Sequence, residues 1–343
     1  MKKSCVALLV MALGGVARAD GLLITGAGAT FPYPLYSKWF SDYNKEYKDR
    51  RFNYQSIGSG GGIRQISERT VDFGASDAPM TDEELSRAPG VVHIPTVMGA
   101  VVVTYNGPVQ GLRLTPETLS ALFLGTITKW NDPRLAKDNP GATLPDTPVT
   151  VVHRSDGSGT NSIFTDYLSK VSPEWKSKVG AGKSVKWRVG LGAKGNEGVT
   201  GLIKSTPGSV GYVELAYADQ NKLPMAELKN HDGFFVKPSI GGTSDAAIGV
   251  PMPKDFRVSI TDAAGKTAYP LASFTYLLVY RDQSEKAKGE ALLRFLWWAI
   301  HEGQASAAAL DYAPLPKKVV AMVEKTLESM TVQGKPISLA SSR

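Results

Sequence analysis

Of 343 residues, only one is cysteine and four are histidine. The cysteine, Cys5, falls in an N-terminal stretch that reads as a secretory leader and lies too early in it for a lipid-anchor junction. Lys2 and Lys3 precede an apolar run, Cys5–Val16, too short to span a bilayer, and Ala17-Arg18-Ala19 supplies an A-x-A cleavage site before Asp20. With residues 1–19 removed, the mature chain has no thiol, which excludes disulfides and Cys-ligated metals from an exported product. His93, His153, His231 and His301 are scattered without metal-ligand spacing. Only His153, beside Arg154, invites a mutation. No later run is apolar for long enough to form a membrane helix. Lys/Arg blocks and basic–aromatic interleaving are also missing, so no nucleic-acid partner is expected. Loss of Lys2, Lys3 and Arg18 leaves 36 bases against 32 acids, a mature charge of about +4.

What the chain does have is a repeating order of strand, Gly/Ser/Thr turn and helix start. Leu22-Leu23-Ile24-Thr25 reads as a strand entering Gly26–Pro32, followed by a helical stripe at Leu35, Tyr36, Trp39, Phe40 and Tyr43. Thr30 is expected as that helix's N-cap, with Pro32 in its first turn. Phe52–Ile57 is a second strand, before Gly58–Gly62 and a short helix through Ile63 and Ile66. Val71–Ala75 is a third, with Asp77 and Pro79 leaving its C-terminal end. Thr115-Pro116 caps a helix stopped at Gly125. Further strands are expected at Ala100–Thr104, Val210–Val213 and Leu271–Tyr280, and helices at Glu290–His301 and Pro316–Met330. The alternation predicts an α/β protein of mostly parallel sheets flanked by helices, long enough for about two domains.

The most informative stretch is Val151–Val171. Its strand end and its turn Ser155–Gly159 lead into a helix with apolar residues at Ile163, Phe164, Tyr167, Leu168 and Val171. Gly159 and Thr160 therefore belong at or near a helix N-terminus, whose unpaired N–H groups and partial positive charge suit an anion. Gly28–Phe31 and Gly58–Gly62 share this design, and three such turns converging would make a cage of donors for a tetrahedral oxyanion. Arg154 adds charge, and Asp156 can hold its guanidinium by pairing. Asp77 would repel a fully ionised anion, but it can accept from one that carries a proton, such as phosphate rather than sulfate. Read locally, Asp77 could equally cap the turn before Pro79.

Other pattern matches fail in context. Gly190-Leu191-Gly192-Ala193-Lys194-Gly195 fits GxGxxG, but it lies late in an exported chain where a soluble nicotinamide cofactor is not expected. Gly182-Lys183-Ser184 resembles the end of a P-loop, yet Ser177 stands where the first glycine is required. Gly74–Ala78 lacks the last glycine of a hydrolase nucleophile elbow. No cofactor is expected.

Thr25–Tyr36 (TGAGATFPYPLY), Val71–Pro79 (VDFGASDAP), Arg154–Thr160 (RSDGSGT) and Gly190–Gly198 (GLGAKGNEG) together resemble the periplasmic phosphate-binding proteins of bacterial phosphate ABC transporters. The resemblance implies a type II periplasmic binding fold with two α/β lobes closing on the ligand. Residues 20–99 plus 271–343 would make lobe I and residues 100–270 lobe II, with crossovers at Ala100–Thr104 and Leu271–Tyr280. It also implies that Thr30, Phe31, Ser59, Asp77, Arg154, Ser158, Gly159 and Thr160 bind phosphate, supported by Asp156, and that Gly190–Gly198 is a structural turn. A monomeric, non-enzymatic periplasmic receptor delivering inorganic phosphate to membrane permease subunits is the function implied. The alternatives are a receptor for sulfate or molybdate, and a secreted phosphatase.

Overall fold

The computed structural model describes residues 21–107 and 109–339. The expected leader, residues 1–19, therefore lies outside the described residues. The strands of the main sheet are β1 (Leu22–Gly28), β2 (Arg50–Ser56), β3 (Phe73–Ser76), β4 (Val91–Asn106), β5 (Thr150–Arg154), β6 (Leu191–Ala193), β7 (Ser209–Glu214) and β8 (Ala272–Tyr280). Their order is β2-β1-β3-β8-β4-β7-β5-β6. The principal helices are α1 (Tyr33–Glu46), α2 (Ser59–Ser67), α3 (Asp82–Arg87), α4 (Gly159–Val171), α5 (Gly195–Ser205), α6 (Leu215–Gln220) and α7 (Lys286–Ile300). No helix among the described residues is long and apolar enough to cross a membrane.

The two ends of the sheet are parallel, as strand–helix–strand connections require: β1 pairs in parallel with β2 and β3, and β5 with β6 and β7. The middle is antiparallel, a departure from the simple alternation. β4 is responsible. Its first part, Val91–Ala100, runs against β8, and from Val101 it runs against β7 instead. A sixteen-residue strand thus spans both halves of the sheet, where the sequence suggested only Ala100–Thr104. β8 has every residue buried, which suits a stretch so rich in aromatic and β-branched residues.

Helices α1, α2 and α7 pack on the β1/β2/β3 end, and α4 and α5 on the other. Trp39, Phe40 and Tyr43 are buried, and Phe40 and Tyr43 meet Phe295 with ring centroids 5.3 and 5.2 Å apart. The expected stripe of α1 is therefore core, and on α7 Phe295 is buried while Trp298 is only half-buried. This rigid frame leaves the turns after β1, β2, β3 and β5 gathered where the two halves of the sheet meet.

Candidate functional site

The turn between β1 and α1 departs from the expected capping. The helix begins at Tyr33 with Pro32 at the cap position and no side-chain cap. Thr30 is freed for another purpose: its Oγ1 accepts from the backbone and side-chain N–H of Asn196, at 3.2 and 2.7 Å. Asn196 Nδ2 also reaches Thr160 Oγ1 at 3.2 Å. Both threonine oxygens act as acceptors there, leaving their hydroxyl hydrogens to point elsewhere. The Phe31 ring is fully buried, edge-on to Tyr312. Among the described residues, neither the Thr30 nor the Phe31 N–H has a protein acceptor.

Ser59 opens α2 after Gly58, whose φ of +90° admits glycine but not side chains readily. Ser59 Oγ accepts from Gly159 N–H at 3.0 Å and Asp77 N–H at 3.2 Å, and faces Asp77 Oδ2 at 3.4 Å. The two turns also touch directly, Gly60 N–H donating to Gly157 O at 2.8 Å.

Asp77 follows β3, buried at 2% exposure. It caps nothing: Thr81 caps the next helix through a capping box with Glu84. Its Oδ1 accepts from Thr275 Oγ1 at 2.8 Å. Burial pushes the Asp77 carboxyl up to about 7, against the Thr275 hydrogen bond and the Arg154 charge, which favour ionisation. A cleft of about 330 Å³ opens beside it, bounded by Ser162, Ile163, Gly182, Arg257 and Thr261.

Arg154 ends β5 at 3% exposure. Its Nε and Nη2 form a fork with Asp156, at 2.8 and 2.6 Å, and Gly195 N–H gives Asp156 a third bond at 3.1 Å. Burial raises the Asp156 pKa, but these donors outweigh it and leave the carboxyl below its ordinary value. The remaining guanidinium nitrogen, Nη1, is buried with no partner. A buried charged donor without an acceptor is costly, and an anion beside this atom would relieve that cost. Ser158 is the N-cap of α4, accepting from Asn161 N–H at 3.0 Å, and Gly159 and Thr160 are its first residues, as the spacing predicts. A Cβ on Gly159 would lie 2.5 Å from both Asp77 Oδ2 and Ser59 Oγ, so only glycine lets the turns approach this closely.

All nine residues expected from the sequence meet in one cluster. Asn196 and Thr275 were missed. Asn196 stands at the second position of α5, within the Gly190–Gly198 stretch read as a turn, which is instead β6 and a helix start. Thr275 is a buried hydroxyl in β8, which also carries Ser273, and no spacing in the sequence singles out either Asn196 or Thr275. His153 takes no part: its ring stacks on Trp187 at 4.6 Å and its Nδ1 contacts Arg154 O at 3.0 Å. His93 accepts from Met80 N–H, while His231 and His301 face Asp262 and Glu324. No group of His, Cys, Asp and Glu able to hold a metal occurs among the described residues.

A family model described as a PBP superfamily domain matches residues 15–301. The "Phosphate-binding protein PstS" of Xylella fastidiosa strain 9a5c is 47% identical over 307 residues, covering 88% of this chain and 84% of that protein. The chain belongs to this family of phosphate-binding proteins. Its relative of the same name in Haemophilus influenzae is 46% identical over 322 residues, covering 92% of this chain and 95% of that one. The fold matches the crystal structure of a phosphate-binding protein from Stenotrophomonas maltophilia, with TM-score 0.70 and 20% identity over 89% of this chain and 94% of that chain. Family members share this α/β architecture of a curled sheet and flanking helices.

Proposed function

We propose that this chain is a receptor for inorganic phosphate, held by Thr30, Phe31, Ser59, Asp77, Arg154, Ser158, Gly159 and Thr160, with Asp156 orienting Arg154. The observation that carries the reading is the pairing of the unpartnered, buried Arg154 Nη1 with the buried carboxyl group of Asp77. Donors alone would accept any tetrahedral oxyanion. One acceptor among them favours an anion that brings its own proton, and leaves sulfate facing an unsatisfied acceptor, at a cost of about 1–3 kcal/mol or more. The names of the relatives agree with this choice over sulfate or molybdate.

We divide the chain into lobe I (20–99 plus 271–343) and lobe II (100–270). Support comes from the change of β4's partner between Ala100 and Val101. Ligand then bridges the lobes and favours their closed arrangement by its differential affinity for it. The protein works as an exported periplasmic monomer that hands phosphate to permease subunits of an ABC transporter. It binds rather than turns over its ligand. Both lone pairs of Ser59 Oγ are taken by backbone N–H groups, which disarms it as a nucleophile. Calorimetry with phosphate, together with an assay for phosphomonoester hydrolysis, tests the reading: saturable binding without turnover is expected, and turnover would replace it with the phosphatase.

A further inference from the structure

Three consecutive carbonyl groups in the turn after β1 each accept from a different tyrosine. Tyr54 Oη donates to Ala29 O at 2.7 Å, Tyr217 Oη to Thr30 O at 2.6 Å, and Tyr312 Oη to Phe31 O at 2.6 Å. The three come from β2, from α6, and from the segment whose Ala313 bridges to Met98 of β4. A trans peptide is planar, with its C=O and N–H pointing in opposite directions. Anchoring the Ala29 oxygen therefore sets the direction of the Thr30 N–H, and anchoring the Thr30 oxygen sets that of Phe31. Those are the two amides without a protein acceptor. The Phe31 carbonyl leads into Pro32, which has no N–H, so Tyr312 pins the end of the turn.

We infer that Tyr54, Tyr217 and Tyr312 are positioning residues that aim the Thr30 and Phe31 N–H groups into the anion site. The inference rests on the phosphate-receptor reading. Tyr217 belongs to the β7 side of the sheet and Thr30 to the β1 side, so its bond forms only when the two are together and joins amide alignment to closure.

The hydrogens balance. Burial raises all three phenols above their ordinary value, so each stays a donor. Tyr312 has one hydrogen but two oxygen neighbours, Phe31 O and, at 3.1 Å, Glu214 Oε2. Burial holds the Glu214 carboxyl well above the carboxylate range. Its Oε2 already accepts from Ala216 N–H at 2.9 Å, and the shorter contact of Tyr312, to Phe31 O, takes the phenol hydrogen. Tyr217 likewise stands 3.0 Å from Glu197 Oε1, and the shorter contact to Thr30 O takes its hydrogen.

The test compares ligand-stripped wild type with Tyr54→Phe, Tyr217→Phe and Tyr312→Phe, which delete one hydroxyl and keep the ring. Tyr269→Phe is the control, because the Tyr269 hydroxyl is buried without a partner. Each clamp variant should weaken phosphate binding by about 3- to 10-fold, the effect of one misaligned hydrogen bond, and Tyr269→Phe should not. Tyr217→Phe should act through faster dissociation at an unchanged association rate. In ¹⁵N-threonine-labelled protein, the downfield move of the Thr30 amide on phosphate addition should shrink in Tyr54→Phe and persist in Tyr269→Phe. Clamp variants that bind within twofold of wild type, or an undiminished Thr30 shift, overturn the clamp alone. Wild type that does not bind phosphate overturns the receptor reading and the clamp with it.

Discussion

Asp77→Asn is the sharpest single perturbation of the proposed site. Asparagine keeps the volume and keeps an acceptor for the Thr275 hydroxyl, now 2.8 Å from Oδ1. What changes is the Oδ2 position, which turns from acceptor to donor. A phosphate hydroxyl then meets an N–H instead of an oxygen, and the unmade hydrogen bond costs about 1–3 kcal/mol, or roughly 5- to 150-fold in affinity. Sulfate responds in the opposite sense. Against wild type it meets a buried carboxylate; against the variant it gains a donor and loses the repulsion. The phosphate-to-sulfate affinity ratio should therefore fall by at least about tenfold, and on the order of a hundredfold or more if the repulsion is strong. Calorimetric titration of ligand-stripped wild type and variant with both anions measures the ratio. A ratio that stays put refutes the proton-reading role of Asp77, even if both affinities drop.

Arg154→Ala should abolish tight phosphate binding, and by stranding Asp156 in a largely buried position it should cost about 3–5 kcal/mol of stability; calorimetry and thermal melts read the two effects, and unchanged affinity would remove Arg154 from the site. Gly159→Ala should lower phosphate affinity with little change in ligand-free melting, because its Cβ would meet Asp77 and Ser59 only when the turns are together. Acidification should help sulfate. Asp77 titrates near 7, so below that pH it is neutral and can donate, and sulfate affinity should climb from pH 8 to pH 5. The same shift has a sign for stability: a carboxyl raised above its unfolded value favours the fold at low pH, and that contribution is lost as pH rises through about 7. Ligand-free wild type should therefore lose stability relative to Asp77→Asn between pH 5 and pH 8 in thermal melts. His153→Phe should keep the stack on Trp187 and leave phosphate affinity within about twofold, since the ring faces no ligand position; a larger loss would give His153 a role.

The turns were legible because their chemistry is local. Glycines, hydroxyls and the Ile163/Phe164/Tyr167/Leu168 stripe announce a helix start at Ser158–Thr160 without help from the rest of the chain. Thr30 shows where local reasoning fails. As a good cap residue before Pro32 it was assigned to its own helix, but tertiary pairing with Asn196, 166 residues away, claims the side chain. The antiparallel middle of the sheet was hidden for a similar reason: β4 reads as a short apolar run, and only its partners β8 and β7 reveal that it crosses both halves. The carbonyl contacts of Tyr54, Tyr217 and Tyr312 leave no mark in sequence spacing, because each joins a distant part of the chain to the first turn. Asp77 was readable as a residue out of place among donors. Its depth of burial, which sets its titration, was not.

The central claim is that donors from both halves of the sheet, with the lone carboxylate of Asp77 among them, select phosphate. Calorimetry of the ligand-stripped mature protein against phosphate, sulfate and arsenate tests it most directly. One phosphate should bind per chain, at least about a hundredfold more tightly than sulfate at pH 8, with arsenate, which also carries a proton, grouped with phosphate. Equal heats and affinities for sulfate and phosphate, or no binding of phosphate at all, would contradict the account.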